Sequence, residues 1–460
     1  MLDAIQWDTS LIRRYDQAGP RYTSYPTAVQ FHEGIGQFDM LHALRDSRKA
    51  LRPLSLYVHI PFCAHICYYC ACNKVITKDR GRALPYLEKL QREIEIIGRH
   101  LDPQQKVEQL HFGGGTPTFL SHDELRHLMA HLRQHFNLLD DDSGDYSIEI
   151  DPREADWSTM GLLRELGFNR VSLGVQDLDP AVQRAVNRLQ TLEETRAIVE
   201  AARTLQFRSI NIDLIYGLPL QTPERFARTV AEVIALQPDR LSLFNYAHLP
   251  ERFMPQRRIN TSDLPSPGDK LAMLQASIEQ LSAAGYRYIG MDHFALPDDE
   301  LASAQEDGSL QRNFQGYTTH GHCDLIGLGV SSISQIGDLY CQNNADLSKY
   351  QDSLAQGELA TVRGLHCNAD DRLRRAVIQQ LICHFRLSFA EIEQAYSIDF
   401  RSYFGEIWPQ LQQMAQDGLI QLDQQGIEVR PAGRLLVRSL CMLFDHYLTE
   451  HNRQRFSRVI

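Results

Sequence analysis

Six short runs rich in β-branched residues recur from residue 54 onward, each separated from the next by a stretch long enough for a helix. They are SLYVHI (55–60), EQLHF (108–112), YSIEI (146–150), NRVSLGV (169–175), SINIDLIYG (209–217) and DRLSLFN (239–245). Strands that alternate with helices form a parallel sheet under covering helices, because parallel neighbours can be joined only by a crossover. Between the first two runs Leu84, Leu87, Leu90, Ile94 and Ile97 recur at three- and four-residue steps and predict an amphipathic helix. Six units fall short of the eight that close a barrel, so the pattern predicts an incomplete one. Chemistry in such folds collects at the C-terminal strand ends. Here those ends carry His59 before Pro61, the run Gly113 to Pro117, Glu149 and Asp151, Gln176, and Asp213.

The flanks differ in texture. Residues 1–50 read as an arm. Its segment GPRYTSYPT (Gly19 to Thr27) fits neither helical nor strand period and is either a flap over a site or a peripheral strap. Residues 51–365 hold the barrel and an extension, in which NFQGYTTHG (Asn313 to Gly321) reads as an exposed polar–aromatic loop. From 366 to 460 the pattern becomes mainly helical. Leu373, Val377 and Leu381 mark one helix, two more segments run to about 418, a hairpin is expected to turn at Gln425-Gly426, and a last helix is expected over 432–449. Helices with a hairpin resemble a winged helix, a shape often used on DNA. Residues 368–460 hold eleven Arg, no Lys and eleven Asp or Glu, however, so no basic footprint for nucleic acid is present and a packing or substrate-covering role is preferred. The whole chain carries a formal charge of −11, which argues the same way. The opening MLDAIQWDTS is not a signal peptide and no long apolar run occurs, so a cytoplasmic chain without a membrane span is expected.

Four of the nine cysteines crowd into HIPFCAHICYYCACN, spaced C-x3-C-x2-C at Cys63, Cys67 and Cys70, with Cys72 just beyond. A clustered, odd-numbered set points to metal, not disulfides. Three close thiolates suit an iron–sulfur cube with one iron left open. The alternative is a structural zinc held by all four, although such sites use two separated pairs and no second pair is present. Since strand side chains alternate, Tyr57 and His59 face the same side, and His59 is either a site residue or a core histidine. The glycine run is either a ligand-approach turn or an ordinary strand-to-helix turn, and Glu149 is either a ligand acceptor or a salt-bridged acid.

C-x3-C-x2-C after a first strand resembles the radical S-adenosylmethionine superfamily, whose members bind S-adenosylmethionine on the open iron of a [4Fe–4S] cluster and cleave it to a 5′-deoxyadenosyl radical. Cys63, Cys67 and Cys70 are then the cluster ligands. Further, RYTSYPT, YVHIPFC, CNK, FGGGTPT, DPRE, GVQD, NIDLIYGLP, FNYAHLP, GMDHFA, NFQGYTT and FSRVI together resemble the oxygen-independent coproporphyrinogen III oxidases, nearly end to end. That resemblance implies a three-quarter barrel with a covering arm and C-terminal domain, and the conversion of two propionates of coproporphyrinogen III to vinyl groups, giving protoporphyrinogen IX. It implies two S-adenosylmethionine molecules, one meeting Tyr57, Gly114, Glu149 and Ile333, the other Tyr69, Gly115, Thr116, Gln176, Arg188, Asp213 and Ala247. Phe314 and Gln315, with Glu149 and His59, are expected near the reacting groups. A low-potential donor such as a flavodoxin or ferredoxin, an unidentified electron acceptor and a monomeric state complete the expectation. The rivals are a haem chaperone of the same superfamily, whose members generally lack the arm and a cysteine at the position of Cys72, and a haem- or iron-responsive DNA-binding regulator.

Overall fold

A computed structural model describes residues 5–449, 456 and 458. It divides into two compact units, one of residues 31–277 and 322–366, the other of 1–30, 278–321 and 367–460.

The first unit contains all six expected strands: β1 (Leu54–Ile60), β2 (Lys106–Gly114), β3 (Asp145–Ile150), β4 (Arg170–Gln176), β5 (Ser209–Tyr216) and β6 (Arg240–Asn245). They pair in parallel in the order β6-β5-β4-β3-β2-β1. A seventh strand, β7 (Asp324–Leu328), lies parallel to β1 on its other side. From β7 the sheet continues antiparallel through β8 (Ile333–Ile336), β9 (Leu339–Asn343) and β10 (Thr361–His366). The strand order does not return on itself, so the barrel is incomplete.

Alternation along the strands explains the layering. In β1 Leu56 and Val58 are fully buried while Tyr57 between them is not; in β5 Ile210, Ile212 and Leu214 are buried while Asn211 and Asp213 are only partly so. The apolar residues face outward under the helices, and the polar ones face the barrel interior. The helix after β1 spans Ala83–Gly98 and buries Tyr86, Leu87, Leu90, Ile94 and Ile97. Leu84, expected on that face, is 54% exposed, because the chain enters the helix from a short 3-10 turn and Ala83 takes the inward position.

The second unit holds the helix Ala369–His384, three further α-helices (Phe389–Tyr396, Phe400–Tyr403, Trp408–Gln416), and a three-stranded antiparallel sheet of Arg386–Ser388, Gly426–Val429 and Ile420–Leu422. The hairpin turns one residue earlier than expected. Asp423 pairs with Gly426, its carboxylate accepting from Gln425 N (2.8 Å) and Gly426 N (3.2 Å), so Gln424 and Gln425 form the turn. Gly426 serves another purpose: a Cβ there would lie 2.0 Å from the carbonyl oxygen of Leu387 on the adjacent strand. The last helix is also shorter, a 3-10 turn over Pro431–Leu436 and an α-helix over Val437–Leu443. The closing motif FSRVI lies largely outside the described residues, of which only Phe456 and Arg458 remain.

Residues 19–27 pack as a strap within this unit. Tyr22 and Tyr25 are buried, Tyr22 Oη donates to Asp445 (2.9 Å), and Arg438 Nε donates to the carbonyl of Pro20 (3.0 Å). The stretch expected as an exposed loop is a hairpin of Gln311–Asn313 and Gly316–Thr318, with Phe314 and Gln315 at its tip and Tyr317 buried, its hydroxyl donating to Ile382 O (3.0 Å). Among the described residues no helix is long and apolar enough to cross a membrane.

Candidate active site

The strand ends of the barrel unit surround a cavity of about 300 Å³. Cys63, Cys67, Cys70, Tyr69, Gly114, Gly115, Thr116, Glu149, Gln176, Arg188 and Asp213 all line it, as do Cys72, Lys74 and Asp151. Tyr57 and His59 sit just outside the lining. Ile333 and Ala247 are not part of it, and Phe314 and Gln315 belong to the other unit.

The cysteine loop is held by backbone contacts at both ends. Phe62 and Cys63 pair in parallel with Val75 and Ile76, Thr77 N donates to Cys63 O (3.0 Å), and Val75 N to Pro61 O (2.7 Å). In the middle, Tyr68 N donates to Val186 O (2.9 Å) and Asn187 Nδ2 to Ile66 O (2.7 Å). Lys74 Nζ donates to the carbonyl of Cys70 (3.0 Å). The sulfurs themselves meet donors: Thr116 Oγ1 at 3.5 Å from Cys63 Sγ, and Arg188 Nη1 and Arg153 Nη2 at 3.5 and 3.8 Å from Cys67 Sγ. Hydrogen bonding from Cys72 and the nearby Lys74 charge push the Cys70 thiol well below its ordinary range, against the effect of burial.

Two glycines of the run after β2 are constrained in different ways. Gly114 has φ +114°, which L side chains avoid, and a Cβ there would come within 2.7 Å of the His59 ring. Gly115 lies so close to the cysteine loop that a Cβ would sit 2.7 Å from Phe62 O, and Gly115 N and Thr116 N donate to Ile60 O and Phe62 O, both at 2.8 Å. The turn therefore fits against the start of the cysteine loop.

Around this turn the inward side chains form a hydrogen-bonded belt. Tyr57 stacks on His111 (5.8 Å between centroids) and approaches His59 Nδ1 through its hydroxyl at 3.1 Å. His59 Nε2 lies 3.1 Å from Asn73 O, an acceptor only, so Nε2 carries the proton and Nδ1 accepts from Tyr57. Burial lowers the His59 pKa and keeps the ring neutral. His111 bridges Ser147 Oγ (2.6 Å) and Glu149 Oε1 (3.3 Å), and Gly114 N donates to Glu149 Oε2 (3.2 Å). The Glu149 carboxylate opens on the cavity. Its burial works against ionisation, but the hydrogen bond and charge of His111 and the Gly114 amide outweigh it and hold the carboxyl below its ordinary range.

At the ends of β3 and β4, Arg188 pairs with Asp151 (3.1 Å) and bonds to Gly174 O. Asp151 also pairs with Arg153 (2.7 Å), and despite burial the two guanidiniums hold its carboxyl below the ordinary range. A register shift between Gly174 and Gln176 aims Gln176 into the cavity with φ +68°. Gln176 Oε1 and Arg188 Nε are both buried without a hydrogen-bond partner, the condition expected of groups that await a ligand. Asp213 accepts from Asn211 Nδ2 (2.8 Å) and Ser172 Oγ (3.1 Å), yet burial raises its pKa to about 6.

Sequence reasoning missed His111, Arg153 and Gln256. The alternation that paired Tyr57 with His59 also puts Gln109, His111 and Gly113 on one side of β2, so His111 was within reach. Arg153 stands in the DPRE motif. Gln256, in a 3-10 turn, bears no pattern.

The comparisons with known proteins agree with this geometry. Residues 57–233 match the model of the radical SAM superfamily, and residues 368–436 that of the HemN C-terminal domain. The oxygen-independent coproporphyrinogen III oxidase of Pseudomonas aeruginosa is 79% identical over 460 residues, all of both chains, and that of Escherichia coli 51% identical over 99% of each. The solved coproporphyrinogen III oxidase (HemN) of Escherichia coli, described as a radical SAM enzyme, superimposes with a TM-score of 0.92 at 50% identity, over 97% of this chain and all of that one. The gathered thiols, the glycine turn and these end-to-end likenesses place the chain in the family of oxygen-independent coproporphyrinogen III oxidases, within the radical SAM superfamily.

Proposed function

We propose that this chain converts two propionate side chains of coproporphyrinogen III to vinyl groups, with loss of two carbon dioxides, and does so without oxygen. The observation that carries the reading is that Cys63, Cys67 and Cys70 line one cavity with Glu149, Gln176, Arg188 and Asp213. Membership of the superfamily brings a [4Fe–4S] cluster and S-adenosylmethionine. The residues fit both: three thiols with polar donors on two of them, and a polar wall with two unsatisfied buried atoms. When bound, these groups supply a carbon radical that takes hydrogen from an unactivated propionate carbon, which no side chain can do.

The protein's own part is binding and orientation. Cys63, Cys67 and Cys70 would hold the cluster. Thr116 and Arg188 steady the negative sulfurs of Cys63 and Cys67. Glu149, fixed by His111 and the Gly114 amide, would receive the amine or ribose of the cluster-bound S-adenosylmethionine, with Tyr57 on β1 and Ile333 on β8 as further contacts. His59 acts as a neutral spacer that sets the Tyr57 hydroxyl. Gln176, Arg188 and Asp213, with Tyr69, Gly115, Thr116 and Ala247, accept a second S-adenosylmethionine. Arg188 takes its carboxylate and Asp213 its amine or sulfonium. Gln176 Oε1 and Arg188 Nε are costly while buried without a partner, and a second zwitterion satisfies them. Phe314 and Gln315 are assigned to the substrate side. The protein acts in the cytoplasm as a monomer, takes single electrons from a low-potential carrier and passes substrate electrons to an unidentified acceptor. The same reading retains the division at residues 50 and 365.

Equilibrium dialysis with labelled S-adenosylmethionine, without porphyrinogen, tests the two-molecule arrangement. Two molecules per cluster are expected, with Arg188→Ala weakening one event at least tenfold while keeping the cluster. One molecule per cluster, unchanged in Arg188→Ala, leaves these groups to the substrate's propionates instead. Incubating the anaerobic enzyme with reductant, S-adenosylmethionine and coproporphyrinogen III tests the activity itself through protoporphyrinogen formation.

A further inference from the structure

We infer that the segment Lys74–Leu84, which follows the cysteine loop, is the docking surface for an acidic one-electron carrier protein. The inference rests on the reading that Cys63, Cys67 and Cys70 hold a redox cluster, since such a cluster needs an electron from outside for its chemistry.

The segment reads KVITKDRGRAL. Lys74 turns its ammonium to Cys70 O, and beyond it residues 75–82 carry Lys78, Arg80 and Arg82 against a single acid, Asp79, on a chain whose formal charge is −11. Lys78, Arg80 and Arg82 are exposed, and so are two apolar side chains, Ile76 (37%) and Leu84 (54%). Exposed cations beside exposed apolar side chains in one segment fit a negatively charged partner that must bind briefly: the charges steer the encounter and the apolar side chains set the contact. The platform is preformed. Arg80 stacks on the Phe119 ring (4.4 Å), donates to Phe119 O (2.8 Å) and pairs with Glu154 (2.6 Å), while Asp79 caps the short 3-10 turn through Gly81 N (3.0 Å).

The segment is also joined to the cysteine loop through the backbone. Ile76 pairs in parallel with Cys63, and Thr77 N donates to Cys63 O at 3.0 Å. One hydrogen bond thus separates a cluster ligand from the backbone between Ile76 and Lys78. Electron transfer weakens steeply with distance, so a carrier seated here is close to the cluster without entering the cavity.

The test uses the cluster-loaded enzyme and its double variant Lys78→Glu/Arg82→Glu, with a milder Lys78→Gln/Arg82→Gln alongside. Anaerobic stopped-flow records cluster reduction by reduced flavodoxin and, separately, by dithionite. With flavodoxin in low salt the charge-reversed variant is expected to be slower by about tenfold or more, the neutral variant by less, and the gap is expected to close in high salt. With dithionite both variants should match the unmodified enzyme in reduction and in S-adenosylmethionine cleavage. Flavodoxin-driven reduction equal in all three proteins overturns the docking surface. So does an equal loss with both reductants, because the segment then supports the cluster and not the carrier. Failure of dithionite-driven cleavage in the unmodified enzyme would count against the catalytic reading, which keeps the two tests separate.

Discussion

Tyr69 and Ala247 are joined through one side chain: Gln256 Nε2 donates to the carbonyl of each, at 3.1 and 3.3 Å, while its Oε1 accepts from Leu249 N at 2.6 Å. Gln256 is 2% exposed, and the Tyr69 ring packs against the cluster of Val182, Val186, Leu218, Tyr246 and Ile259. A residue of the cysteine loop and a residue beyond β6 are thereby fixed to one another, although only the loop residue lines the cavity.

Gln256→Leu keeps the volume and removes all three bonds. Each buried group left unpaired costs about 1–3 kcal/mol. The variant is expected to retain its iron, to melt several degrees lower, and to lose affinity for S-adenosylmethionine in the weaker of two binding events. Iron analysis, thermal melting and dialysis check this, and unchanged binding would detach Gln256 from the site.

Cys72 lies beside Cys70 and is the exposed member of the set. Cys72→Ser should keep most of the iron and the cluster's visible absorbance. Cys63→Ser, Cys67→Ser and Cys70→Ser should each lose both. Iron loss from Cys72→Ser equal to that of the other three would make Cys72 a ligand.

Glu149 has its two oxygens held apart by His111 and by Gly114 N. Glu149→Ala should load the cluster normally and lose S-adenosylmethionine cleavage by two orders of magnitude or more, while Glu149→Gln, which can still accept, should fall between. Cleavage assayed with dithionite as reductant decides. Unchanged cleavage in Glu149→Ala would remove it from the site.

Asp213 has its pKa raised to about 6, chiefly by burial. Between the ordinary carboxylate range and that value the folded state binds more protons than the unfolded one, so stability falls as pH rises through this window. Asp213→Asn should therefore stabilise the ligand-free protein near pH 7.5, by at most about 3 kcal/mol and less where cavity water screens the charge, with the difference fading toward pH 4. A cationic ligand draws the carboxyl back to its charged form, so S-adenosylmethionine binding at pH 6 should release a proton. Calorimetry in buffers of different ionisation enthalpy should show that release, absent in Asp213→Asn.

The barrel strands were legible because their outward residues form short apolar runs and their ends carry polar residues that a core would reject. That Cys63, Cys67 and Cys70 come together was legible in their spacing. Other features lie where sequence patterns are weak. The hairpin turn was misplaced because Gly426 suggested a positive-φ position, whereas the Asp423 carboxylate makes the turn and Gly426 makes room for Leu387 O. The stretch from Asn313 read as an exposed loop because its polar residues conceal a hairpin that buries the adjacent Tyr317 and Thr318. The belt from His111 through Ser147 depends on register between distant strands, and Gln256 acts through backbone carbonyls, which leave no mark on residue type.

The two-residue pairing that joins Cys63 to Ile76, together with Thr77 N on Cys63 O, ties off the cysteine segment as a closed ring of chain by backbone contacts. Closing a loop is entropically unfavourable, and here backbone hydrogen bonds offset part of that cost. Assembly of iron and sulfide is then a filling reaction on a finished mould, not a folding reaction. A chain stripped of its cluster by oxygen should accordingly be repairable in place, regaining iron and sulfide without passing through the unfolded state.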